Sequence, residues 1–538
     1  MSTDSAFNLI IEPIIGARLT GERQRSFLTL PGILAALARD TIEDFPALRP
    51  HQRHPWHAFC VQLAAMTLHR AGVTEAPSDE AAWAALLRGL TPEWPDDAPW
   101  CLVSPADRPA FMQTPVPGGN LAEFKSVVAT PDALDMLVTS KNHDLKSEVM
   151  IDAQPEDWVF ALISLQTMSG YGGSTLYGIS RMNSGSGSRP ALGILPGALP
   201  GARFVRDLRV LLRSRDEVLA HNDLKASGGI CLVWLEPWDG ASQLRFSDLD
   251  PFYIEICRRV RFGRKSTSLH ATSVGSATAR IVAKQLKGRT GDPWIPIEEQ
   301  DGKGRAWGEP KALTITGSGF SYQKMTELLL RKRYRPALLQ KIADDDAEDA
   351  LAVAACGIAR DDKKTDGYHE RVVPISKRVV SLFRVRATDA LAGWAAERVE
   401  EAGQLRGKVL RPALLALLQD GPEQVNFRAT ETSDRADHFL ERLDNAIDAT
   451  FFDDLWQEAD QADTGEDARR ALRHAWHRRF AGVAHDLLVE AADSVPHASM
   501  RRYRARVRAD RAFFGARNKY FPHLQAKESE GNDARTRV

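Results

Sequence analysis

Apolar and polar positions alternate in two different ways along the chain. Up to about Pro374, short apolar runs are cut by glycine, proline and serine. Phe7–Ile15 (FNLIIEPII) reads as a strand interrupted at Pro13. Trp56–Arg70 carries Phe59, Leu63 and Met66 at helical spacing and predicts a core helix. Ile230–Leu235 (ICLVWL) predicts a buried strand. Two breaker-rich loops stand out, Ser169–Gly173 (SGYGG) and Asn183–Ser188 (NSGSGS).

After Pro374 the helical period is sustained. Ala387, Leu391, Trp394, Ala395 and Val399 form one stripe. Phe439, Leu443, Ile447, Phe451 and Leu455 form a second, and Leu472, Trp476, Phe480, Val483 and Leu487 a third. Tyr503 and Val507 begin a fourth, continued by Phe514. Four amphipathic helices in series predict a bundle. The expectation is an α+β protein: a large mixed α/β N-terminal domain over 1–374, then a C-terminal four-helix bundle over 375–525. The stretch 526–538 (AKESEGNDARTRV) lacks an apolar anchor and is expected to be a disordered tail.

Composition narrows the class. The 538 residues include 70 Lys+Arg and 71 Asp+Glu, so a uniformly basic nucleic-acid binder is excluded while local basic surfaces are not. The five cysteines lie far apart, which argues against a disulfide framework or a thiolate zinc site. No signal peptide and no apolar run of membrane-spanning length is read, so a cytoplasmic protein without membrane contact, metal or cofactor is expected.

Catalytic signatures are sparse. GxxxxGK[ST], HExxH and GxSxG are all missing from the sequence. His143-Asp144 and His369-Glu370 each pair an imidazole with a carboxylate, which leaves a nuclease using His143 or His369 as an alternative; a polar loop or a salt bridge is the plainer reading. The glycines at 170, 172 and 173 permit close backbone approach to a ligand, although a simple turn needs the same residues. Basic residues cluster at Arg258–Lys265 (RRVRFGRK), at Arg280, Lys284, Lys287 and Arg289, and at Arg331–Arg335 (RKRYR). Arg501, Arg504, Arg508 and Arg511 share one face of the last helix. Such clusters suit phosphate backbones, and each alone also suits a solvated surface.

In order along the chain stand AFMQT (110–114), VTSKNHDLK (138–146), SGYGG (169–173), DPWIP (292–296) and KTDGYHERVVP (364–374), followed by the terminal helices. This series resembles the large subunit of the type I-E CRISPR Cascade complex, the CasA family, over nearly the whole chain. The resemblance implies a non-catalytic subunit of a crRNA-guided surveillance complex. Such a subunit recognises the protospacer-adjacent motif (PAM) of target double-stranded DNA from the minor groove. It promotes duplex opening and R-loop formation, and recruits a helicase–nuclease effector. Its partners would be crRNA, target DNA, the other Cascade subunits and that effector. A scaffold that only holds partner proteins is the remaining alternative.

The resemblance also distributes roles. Gly170, Tyr171, Gly172 and Gly173 match the family's glycine loop at the PAM. Lys284, with Lys287 as second candidate, matches its minor-groove lysine. Lys141, Asn142 and His143 fall in the loop that contacts the crRNA 5′ handle. The strand-separating wedge falls by position at Arg360–Thr365, with Asp362, Lys363 and Lys364 at its tip; the glutamine common there in the family is absent. Arg501, Arg504, Arg508 and Arg511 are assigned to the DNA backbone.

Overall fold

The computed structural model describes residues 5–137, 148–183, 185–265, 268–300, 306–347, 349–361, 364–461, 465–496 and 498–525. The chain divides into two compact units. The first holds the residues up to Phe320 together with Lys332–Pro374; the second holds Ser321–Arg331 together with the chain from Ile375 on.

The first unit is built around α1 (Pro50–Ala71), which is buried on nearly every side from His51 to Leu68. It starts earlier than the apolar period suggests. Pro50 sits in its first turn, where a missing N–H costs nothing, and Pro55 interrupts the pattern only locally. Gly72, at φ 67°, closes it in the left-handed conformation. Against α1 pack α2 (Pro155–Met168) and α3 (Pro200–His221). Trp56 stacks on Phe59 and meets Phe160 edge-on, which joins α1 to α2 through aromatic packing.

Strands enclose this helical centre in small sheets of two or three. β1 (Ala191–Leu195) pairs with β6 (Ala352–Asp361), which pairs in turn with β7 (Lys364–Pro374). β3 (Arg259–Lys265) and β4 (Ser268–Val274) form a hairpin. β2 (Leu244–Arg245) and β5 (Ile281–Val282) form a two-residue parallel ladder. The run at Phe7–Ile15 is two strands, Ala6–Asn8 and Ile15–Leu19. Ile230–Leu235 is a strand only to Leu232 and a 3-10 turn thereafter. The five cysteines are free, and four of them are buried.

The second unit is helical. It comprises α4 (Tyr322–Leu329), α5 (Lys377–Arg384), α6 (Asp389–Gln404), α7 (Arg411–Leu418), α8 (Thr430–Asp448), α9 (Phe451–Asp460), α10 (Glu466–Ser494) and α11 (Ser499–Tyr520). The first stripe lies on α6 from Leu391 onward, with Ala387 just before the helix; the second spans α8 and α9, the third lies on α10, and all five residues of the second are buried. A π-helical turn, Leu405–Leu410, joins α6 to α7. The fourth stripe is corrected. Helix α11 buries Ala505, Ala509, Phe513 and Arg517, whereas Tyr503 is 79% and Val507 45% exposed. The reason is close packing against α7 and the loop after it: a Cβ on Gly421 would lie 2.9 Å from the Cα of Ala505. The small residues Gly421 and Ala505 permit this approach, and Tyr503 and Val507 lie on the exposed face of the helix. Among the described residues, no helix is long and apolar enough to cross a membrane.

Candidate nucleic-acid interface

The glycine segment begins where α2 ends. Ser169 leaves the helix in an extended conformation and pairs with Ser188 across an isolated bridge. Gly170 N donates to Gly187 O at 3.1 Å, and Tyr171 N to Gly185 O at 2.9 Å. The two breaker-rich loops of the sequence are thus one structure. Gly170 is obligatory in it, because a Cβ there would lie 2.3 Å from Gly187 O and 2.4 Å from Gly185 O. Gly173, at φ 147°, turns the chain back so that Leu176 O accepts from Gly172 N at 2.8 Å.

One cation fastens this segment. Arg258 Nη2 donates to Ser169 Oγ at 2.8 Å and to Gly170 O at 3.0 Å, while Nη1 donates to Tyr177 O. The other side of the paired loops rests on β6. Ser188 N donates to Ile358 O at 2.9 Å, and Ile358 N to Ser188 Oγ at 2.6 Å. Further along β6, Arg360 donates to Met136 O. Burial, reinforced by the charge of Arg258, pulls its guanidinium down to about 10.

Over the glycine segment opens a cleft of about 590 Å³. Gly170, Tyr171, Gly178, Ile281–Gln285, Gln243 and Thr278 are among the residues that line it. The structure separates the two lysines. Lys284 is exposed and lines the cleft, and its ammonium has no hydrogen-bond or carboxylate partner among the described residues. Lys287 does not line it, and its Nζ is held 2.6 Å from Glu309 Oε2. That ammonium holds the Glu309 carboxyl below the usual range. Ser180, which also lines the cleft, donates through N and Oγ to Glu255 Oε2, both at 2.8 Å. Burial pushes the Glu255 carboxyl up, against the pull of Arg181.

Several basic segments are structural instead. Arg261 is buried and donates to the carbonyls of Ser104, Pro105, Arg108, Gln113 and Thr114. Arg280 is buried over Trp238 and donates to Glu236 O and Pro237 O. Burial pulls both guanidinia down to about 10. In the RKRYR segment, Arg333 and Arg335 pair with Glu298 and Glu299. Of Arg258–Lys265, only Arg264 and Lys265 are exposed. Arg259, Arg261 and Arg280 are thus interior cations, while Arg264, Lys265, Arg331 and Lys332 face solvent.

The remaining candidates are distributed as follows. Lys141, Asn142 and His143 lie outside the described residues, but the chain on either side is anchored. Asp135 accepts from His51 Nε2 at 2.9 Å and from Gln52, while Asp132 accepts from Val149 N at 3.0 Å. Asp362 and Lys363 also lie outside; β6 and β7 pair as far as Asp361 and Lys364. His369 lies in β7 against Gly319, without a carboxylate partner among the described residues. No group of three or more His, Cys, Asp or Glu among the described residues is placed to hold a metal ion. On α11, Arg501 pairs with Asp420 at 3.1 Å and Arg504 donates to Asp420 O at 3.0 Å. Arg508 and Arg511 have no hydrogen-bond or ion-pair partner among the described residues.

By fold the chain is similar to CRISPR-associated Cse1 proteins of known structure. It aligns with the structure of Thermus thermophilus CasA (Cse1) at TM-score 0.63 and 14% identity, over 96% of this chain and 100% of that one. It aligns with Cse1 from Acidimicrobium ferrooxidans at 0.61 and 15%, over 96% and 100%. It aligns with Thermobifida fusca Cse1 at 0.64 and 14%, over 96% and 98%. No curated protein matches it in sequence. The family model for CRISPR-associated protein Cse1 matches residues 8–487, and the chain belongs to that family, the large subunit of the type I-E Cascade complex in CRISPR defence.

Proposed function

We propose that the cleft receives the minor groove of the PAM in double-stranded DNA, with the backbone of Gly170–Gly173 against the groove and Lys284 reaching its floor. The observation that carries this reading is the cleft itself. Gly170 and Tyr171 line the same space as Lys284, whose ammonium is unengaged, while the competing Lys287 is held by Glu309. A groove about 6 Å wide admits backbone more readily than side chains. A lysine donates to adenine N3 and thymine O2 and is obstructed by the guanine amino group.

Contacts made only at a PAM then offset the few kcal/mol needed to unstack the first base step. Guide pairing takes over from there, in the near-balanced exchange of one duplex for another that RNA-guided systems share. The hairpin β6–β7, with Asp362, Lys363 and Lys364 at its end, acts as the wedge. Lys141, Asn142 and His143 hold the crRNA handle. Arg508 and Arg511 meet the DNA backbone, joined by Arg501 and Arg504. The subunit is a non-catalytic recruiter of the helicase–nuclease.

The test uses the complete crRNA-loaded complex. Lys284→Ala should weaken binding to a PAM-bearing duplex about ten-fold or more, and leave binding to a target with the first base pairs already open nearly unchanged. Equal loss on both substrates would remove the PAM role.

A further inference from the structure

We infer that Gln243 is a specificity-determining residue of this cleft, its side-chain oxygen accepting a hydrogen bond from the 2-amino group of a guanine in the minor groove. The inference rests on the minor-groove reading and adds to it a second reader of opposite chemical sense.

Gln243 is exposed and lines the cleft. Its Nε2 donates to Ala279 O at 2.9 Å. A backbone carbonyl only accepts, so the amide can face Ala279 only through its nitrogen. The orientation is therefore fixed by chemistry, and the oxygen is the atom left over. Oε1 has no partner among the described residues. Lys284, which lines the same cleft, carries donors alone in its side chain.

Ile281 pairs with Leu244, so Gln243 stands level with Arg280, whereas Lys284 lies beyond the end of β5, in the 3-10 turn Lys284–Leu286. The two side chains reach the cleft from different elements and are assigned to different base pairs. Every pair offers acceptors in the minor groove, but the only donor there is the guanine amino group. An acceptor at the Gln243 end selects a G·C pair; a donor at the Lys284 end selects a pair without that amino group.

The experiment starts from the wild-type complex and its preferred PAM, obtained by binding to a randomised duplex library. That PAM should contain a G·C pair. Replacing its guanine by inosine removes only the 2-amino group and should weaken binding roughly five-fold. Replacing adenine by 2,6-diaminopurine at the other end adds that group and should also weaken binding. In Gln243→Leu and Gln243→Met, which lack an acceptor of this kind, the guanine and inosine duplexes should bind equally. A PAM without G·C, an inosine duplex that binds the wild type as well as guanine does, or an inosine penalty that survives in both variants would overturn the role of Gln243. In each case a diaminopurine penalty would leave the minor-groove reading standing. Indifference of the wild type to both base analogues would remove that reading itself.

Discussion

Two arginine-rich segments look alike in the sequence and differ completely in the folded chain. Arg258–Arg261 enters β3, where Arg259 and Arg261 are buried and Arg258 is spent on Ser169, Gly170 and Tyr177. Arg501–Arg511 runs along α11, where Arg508 and Arg511 keep their guanidinia unpaired among the described residues. The difference follows from what surrounds each backbone. β3 crosses irregular loops whose carbonyls have no strand or helix partner, and a guanidinium with five N–H groups is the side chain best suited to collect them. The carbonyls of α11 are already used within the helix, so the arginines from 501 to 511 meet Asp420, Asp493 or solvent. A cluster of cations is thus left facing solvent only where the neighbouring backbone is self-sufficient.

The contrast can be broken most forcefully at Arg261. Arg261→Ala would take a donor from five carbonyls, of which Pro105 O and Gln113 O keep a backbone N–H, and should cost about 3–5 kcal/mol of stability, read as the shift of a denaturant midpoint. A loss below about 1 kcal/mol would mean that β3 does not depend on its buried cation. Arg258→Ala should release the glycine segment. The expected outcome is about ten-fold weaker binding of the complex to a PAM-bearing duplex, with a pre-opened target bound as before.

Protons sharpen the comparison from another side, because the interior of the first unit also holds histidines beside its arginines. Burial, followed by the charge of Arg203, pulls His57 down to about 4 despite its hydrogen bond to Asp207. The unfolded chain takes up that proton near pH 6.5. The stability this group contributes is therefore whole above pH 6.5 and lost as the pH falls from there towards 4. The melting temperature of the wild type should drop over that window, and that of His57→Gln should drop less. The smallest effect belongs to α11. Arg508→Ala and Arg511→Ala should each change stability by less than about 0.5 kcal/mol, while lowering the salt dependence of DNA binding by about one unit of slope.

How much of this was legible beforehand varied with the kind of signal. The glycine segment stood out because its composition is rare and the fold uses it for the reason composition suggests: backbone lies on backbone at Gly170. The role of Arg258 was hidden, since charge in a sequence carries no direction. AFMQT and DPWIP were read as family marks, and the structure shows their physical work. Gln113 donates to Leu102 O and Phe111 O and accepts from Phe262 N, while Asp292 gathers Arg181 and Arg189. Helix α7 escaped notice because the π-helical turn before it inserts an extra residue and rotates the apolar face. The outward turn of Tyr503 and Val507 was equally unreadable: size ranks residues for burial only until two backbones come too close for anything beyond a methyl group.

The tight nesting of Gly170 also constrains how this subunit can change. A Cβ at 178 would collide with the carbonyl carbon of Gly170 at 2.7 Å, as one at 170 would with the neighbouring loop. The floor is therefore a mould that admits no lettering of its own. Laboratory evolution towards a new target signature should gather its substitutions along the lip, at 243, 284 and 285, and return none from the floor.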